Sequence, residues 1–75
     1  MLKSLDYLGR RVRLKNAYEC GVLGPNGQQI GGTIDVPAGS EGLVISHRPG
    51  LTIRLDDTRV FPIKLTKDDV DLLPR

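Results

Sequence analysis

A chain of 75 residues with 11 Lys and Arg against 9 Asp and Glu carries a formal net charge of +2, and 39% of its residues are apolar. That balance is too apolar for a disordered segment and too weakly basic to predict nucleic acid from charge alone. It suits one domain with one modest core, since a chain this short buries only about 60% of its unfolded surface.

A single cysteine, Cys20, excludes an internal disulfide, so the expected setting is reducing and cytoplasmic. Met1 to Asp6 has no long apolar core, so no signal peptide is expected. No apolar run approaches the roughly 20 residues of a membrane-spanning helix, and no membrane is expected either.

In chain order, Leu2, Leu5 and Leu8 are spaced for one or two helical turns closed by Gly9. Nine residues are too few to hold a helix unaided, so residues 1–9 read as an arm lying on the domain. Arg10 to Lys15 alternates, with Val12 and Leu14 on one side and Arg11, Arg13 and Lys15 on the other, the mark of a strand with one wet face. Gly24-Pro25-Asn26-Gly27 is a turn. Across it Tyr18 to Leu23 and Gln28 to Ile34 are able to pair as an irregular hairpin, with Gly31-Gly32 as a bulge or bend.

Val36 to Ile45 organises the rest of the chain. Pro37 has the φ of the second residue of a type I turn, and Gly39 then falls at the fourth position. Leu43, Val44 and Ile45 form a short apolar strand, but adjacent strand residues point to opposite faces. Either Val44 or the pair Leu43 and Ile45 must look away from the core. The outward residues are expected either to form an association patch or to lie under the arm.

Arg48-Pro49-Gly50 turns the chain. Leu51 to Leu55 alternates, Asp56-Asp57 is a polar turn, and Val60 to Leu65 places Phe61, Ile63 and Leu65 on one face with Pro62 marking an edge. Thr66 to Asp69 has an acidic residue three places after a capping residue, which predicts a single 3-10 turn. Val70 to Leu73 is the last strand. The expected core is Val12, Leu14, Ile53, Leu55, Phe61, Ile63 and Leu65 with residues of 43–45.

This order predicts an all-β fold: a small barrel of about five short strands, a long hairpin after the first and a 3-10 turn before the last. "RVRL" at 11–14, "VPAGSEGLV" at 36–44, "TIRLDD" at 52–57 and "DLLP" at 71–74 resemble the SH3-like small barrels, among them the KOW-type domains and the small barrel subunit of photosystem I. The resemblance covers most of the chain. It implies that Gly42 sits where a barrel strand bends and that Asp56-Asp57 makes a hairpin tip.

Two functional readings compete. Arg11, Arg13 and Lys15 share a strand face that Arg54 and Lys64 extend, and KOW-type resemblance implies a phosphate-contacting nucleic-acid patch there. The same row also reads as a solvated face whose charge discourages edge pairing. With Tyr7, Tyr18 and Phe61 as the only aromatics, and Phe61 assigned to the core, there is neither a stacking platform nor the aromatic groove that binds proline-rich peptides.

The favoured reading is therefore a non-enzymatic interaction or accessory module with a protein partner or self-association, its patch being Leu43, Val44 and Ile45. Some plasmid-borne SH3-like reductases are similar in size and build one pore from four subunits, but no version of their motif is recognisable here. His47 and Cys20 alone make neither a catalytic pair nor a zinc site. The aspartates lack calcium-loop spacing, and the glycines of Gly24 to Gly42 are not a phosphate loop. No catalytic residue, metal, cofactor or small-molecule substrate is expected.

Overall fold

The structure, a computed structural model, describes residues 2–75. The expected all-β architecture is what forms. Seven strands, β1 (Arg11–Leu14), β2 (Tyr18–Leu23), β3 (Gln29–Val36), β4 (Glu41–Ser46), β5 (Leu51–Leu55), β6 (Ile63–Leu65) and β7 (Val70–Leu72), accompany 3-10 turns at Ser4–Tyr7 and Lys67–Asp69. Five strands make a curled antiparallel sheet in the order β6-β5-β4-β1-β7, a half-barrel, and β2 pairs with β3 as a separate hairpin.

The close approach of β4 and β5 depends on Gly42. A Cβ on Gly42 would stand 2.7 Å from the carbonyl oxygen of Arg54 and 2.8 Å from Ile53. Those distances are closer than any side chain tolerates, so only glycine lets β5 lie this near β4.

The concave face holds the core. Val12, Leu14, Val44, Leu51 and Ile53 are fully buried, and Cys20, Val36, Leu55, Val60 and Val70 join them. The alternation at 11–15 and 51–55 thus reports burial correctly. The segment after β5 differs from its reading. Val60 is buried while Phe61 is only half-buried, and Ile63 and Leu65 pack at the margin of the core. The reason lies in the backbone. Val60 bridges to Val22 and Phe61 donates its N–H to Gly21, so residues 59–61 belong to the hairpin's edge. Pro62 then interrupts the ladder before β6, which breaks the alternating phase.

The arm also departs from expectation. Its anchor is Tyr7, 7% exposed, whereas Leu2, Leu5 and Leu8 remain exposed. Gly9, at φ +75°, turns the chain so that its N–H donates to Val44. This directs the aromatic ring inward and leaves the leucine edge in solvent.

Turn chemistry explains the connections. Gly27 donates to Gly24 and Gly24 to Gln28, a type I turn closed by Gly27 at φ +81°. Between Gly21 and Leu23 the hairpin register shifts, and Gly31 and Gly32 take positive φ in the bulge so formed.

The turn before β4 lies one residue later than its sequence pattern implies. Ser40 donates to the carbonyl of Pro37, so Pro37 opens the turn and Gly39 is its third residue, at φ +91°. That is the positive φ of a type II turn, not the fourth place of a type I turn. The 3-10 turn before β7 forms as predicted, the Asp69 carboxylate accepting both the N–H and the hydroxyl of Thr66.

Candidate functional site

The five cations singled out in the sequence project from one face. Directly paired residues of an antiparallel sheet point the same way. Arg11 pairs with Leu43 and Leu43 with Arg54; Arg13 lies between Glu41 and Asp71; Thr52 pairs with Lys64. All therefore stand on the convex face, opposite Val12, Val44 and Ile53. Lys15 continues the same phase just past the end of β1.

The linear pattern hides the carboxylates between these cations. Arg11 donates Nη1 to Oδ1 of Asp56 at 2.8 Å and Nη2 to its Oδ2. Glu41 lies 3.6 Å from both Arg11 and Arg13, and Asp71 lies 3.9 Å from Lys15. The forked hydrogen bond holds Asp56 below the usual carboxylate range and raises Arg11 further above its ordinary value. Among the described residues, neither Arg54 nor Lys64 has a carboxylate partner. The face thus alternates in sign along β1 and carries uncompensated positive charge only on β5 and β6.

The apolar run of β4 is divided between faces. Val44, 1% exposed, enters the core, so it takes no part in a surface patch. Leu43 is half-buried on the outer face between Arg11 and Arg54. Ile45 is 43% exposed; the β4–β5 register passes from Val44–Ile53 to Ser46–Thr52, which makes Ile45 the extra residue of a bulge. The arm does not bury this residue.

His47 is half-buried in the turn after β4, and Cys20 is buried on β2, where loss of solvent pushes its thiol pKa up. Among the described residues no three His, Cys, Asp or Glu side chains group as metal ligands would.

Beside Leu43 the outer face drops into an open groove of about 420 Å³. The sheet supplies Arg11, Leu43 and Arg54 to its lining, with the Asp56 carboxylate just after β5; the far wall comes from Thr58, Val60 and Pro62 of the following segment and from Leu23 of the hairpin. Its volume is that of a small ligand or a few side chains. The far wall is fixed by a local network. Asp57 accepts the Arg59 N–H at 3.0 Å, its Nε at 2.9 Å and its Nη2 at 2.7 Å. The Arg59 carbonyl accepts the Leu23 N–H at 2.8 Å, joining the hairpin to the same wall. The hydrogen bonds from Arg59 hold the pKa of Asp57 down to about 2.

Leu23, Thr58, Val60 and Pro62 are absent from the sequence-predicted site. Only Pro62 gave a local sign, as the residue that takes the chain off the ladder. The groove offers apolar contact along most of its wall and one guanidinium, that of Arg54, free to meet a new carboxylate. Comparison with protein-family models, curated proteins and solved structures finds no match to this chain.

Proposed function

We propose that this chain is a non-enzymatic interaction module of SH3-like barrel architecture that binds a protein partner through its convex face. The architecture is supported by the curled five-stranded sheet and by the order of elements along the chain, a hairpin after the first strand and a 3-10 turn before the last, which is the chain order on which the sequence resemblance rests. The observation that carries the function is the groove beside Leu43: an apolar, solvent-open depression on a face where, among the described residues, Arg11, Arg13 and Lys15 are paired with carboxylates and Arg54 and Lys64 are not. Apolar surface rimmed by charge is the usual form of an association site.

The alternative, a nucleic-acid module using Arg11, Arg13 and Lys15 extended by Arg54 and Lys64, draws less support from the geometry, which leaves Arg54 and Lys64 alone of the five without a carboxylate among the described residues. Arg11, Arg13 and Lys15 already face Asp56, Glu41 and Asp71, and release of condensed counterions requires cations available to phosphate. Affinity capture from a lysate of the source cell, with and without nuclease, separates the readings. Retention of a defined protein after nuclease treatment is the expected result. Retention of nucleic acid alone, or weakening of capture by Arg11→Ala with Arg13→Ala in a steeply salt-dependent way, favours the alternative.

A further inference from the structure

We infer that the groove beside Leu43 binds an extended partner segment in which an aliphatic and an acidic side chain stand two residues apart. This inference rests on the interaction-module reading and assigns that module its ligand chemistry.

The apolar half of the motif comes from the walls. Leu23, Leu43, Val60 and Pro62 line the depression, and they supply methyl and methylene surface with few polar groups to satisfy a polar side chain. An aliphatic group placed there leaves water at a gain of roughly 25 cal/mol per Å² of apolar surface.

The acidic half comes from charge. Arg11, Arg54 and the Asp56 carboxylate line the groove, and Arg11 is already engaged by both oxygens of Asp56. Arg54 is engaged by none, and Lys64 stands nearby across the ladder from Thr52. A guanidinium meets a carboxylate best through two parallel hydrogen bonds, so the free fork on Arg54 selects an acid.

The spacing comes from the sheet. Leu43 and Arg54 are direct cross-strand partners, whose side chains lie about 5 Å apart. In an extended segment, residues i and i+2 point to one side, separated by about 7 Å. An aliphatic residue seated against Leu43 and Val60 therefore places an acid two positions away within reach of the long Arg54 side chain. The walls need little rearrangement to receive it, because Arg59 ties Asp57 and the Leu23 backbone to one another.

The test uses amide-resolved NMR titration of the whole chain with three acetylated, amidated hexapeptides. One contains Glu-Thr-Leu-Thr-Glu, so that an acid stands two residues from the leucine in either direction, the second has Gln for each Glu, and the third has Lys for each Glu. The expected result is saturable shifts at Leu23, Leu43, Arg54, Thr58 and Val60 with the acidic peptide. Binding of the Gln peptide should be about tenfold weaker, the scale of a charged over a neutral hydrogen bond at a half-exposed site, and binding of the Lys peptide weaker again. Arg54→Gln should erase the difference between the acidic and Gln peptides while leaving core amide shifts in place, which shows that the fold is intact.

Equal affinity for all three peptides, or absence of saturable shifts in the groove, overturns the inference. So does a self-associated chain whose groove amides shift on dilution and which Leu43→Asp converts to monomer, since the occupant is then a second copy. These outcomes are distinct from those that judge the module reading. Protein capture that survives Arg54→Gln and Leu43→Asp unchanged keeps the module and removes the groove; failure of wild-type capture removes the module, while the titration still judges the groove.

Discussion

The curled sheet and the β2–β3 hairpin are built from similar strands and held by different means. In the sheet, one face of every long strand meets the core, and Val12, Leu51 and Ile53 are wholly removed from solvent. In the hairpin, β3 is exposed along most of its length, including Ile30; Cys20 and Val36 near its base are buried in the core, and Tyr18 and Ile34 pack against it half-buried. What fixes the hairpin is backbone pairing to residues 59–61 and two glycine-dependent distortions. Burial therefore carries the stability in one region, while hydrogen bonds set position in the other. The groove lies where the two meet.

The largest effect in this contrast belongs to the sheet. Ile53→Ala should lower unfolding stability by about 2–5 kcal/mol through the cavity it leaves, measured by denaturant titration. A variant as stable as wild type would show that the concave face is not the core. Next comes Gly42→Ala, whose methyl group meets the backbone of β5 at 2.7 Å. Moving β5 away should cost about 1–3 kcal/mol, and a neutral result would mean that the strands do not approach so closely. Smallest is Ile30→Ser on the exposed hairpin strand, expected to change stability by no more than about 0.5 kcal/mol. A loss comparable to that of Ile53→Ala would erase the distinction between the regions.

Acid sharpens the same contrast, because the convex face and the groove wall are tied by carboxylates. Asp56, Asp57 and Asp69 all titrate below their ordinary value of 3.8 in the folded chain, Asp57 at about 2. For a depressed carboxylate the stabilisation is complete above the unfolded value and disappears as pH falls through the folded one. Stability should therefore decline as pH falls from about 5 to about 2. These groups are exposed, so the decline should be shallow and further reduced by salt. Thermal unfolding across that range checks it; a rise in stability on acidification would contradict the assigned pairs.

The sheet was legible because its signals are local. Alternation in "RVRL" and "LTIRL", the Gly-Pro-Asn-Gly turn and the Thr66–Asp69 pattern each report on a few adjacent residues, and each forms where expected. The errors arise where a tertiary pairing overrides a local phase. Val60 displaces Phe61 from the core because residues 59–61 pair with β2, and Tyr7 displaces the leucines because Gly9 turns the arm.

The site was half legible for the same reason. Arg11, Arg13, Lys15, Arg54 and Lys64 share a face, as alternation implies. Which carboxylates stand between them depends on cross-strand register, which no single strand reveals. The groove needs Leu23 and Pro62, 39 positions apart in sequence, to meet beside Leu43.

On the proposed reading, partner binding belongs to the groove and not to the hairpin's exposed edge. Two apolar positions separate these surfaces, Leu43 in the groove and Ile30 on β3. The most direct measurement is the affinity of the same captured protein partner for wild type, Leu43→Asp and Ile30→Asp, each confirmed to unfold at a similar temperature. Loss of binding by Leu43→Asp with retention by Ile30→Asp is the predicted result. Retention by Leu43→Asp with loss by Ile30→Asp would contradict the account and move the interface to the hairpin.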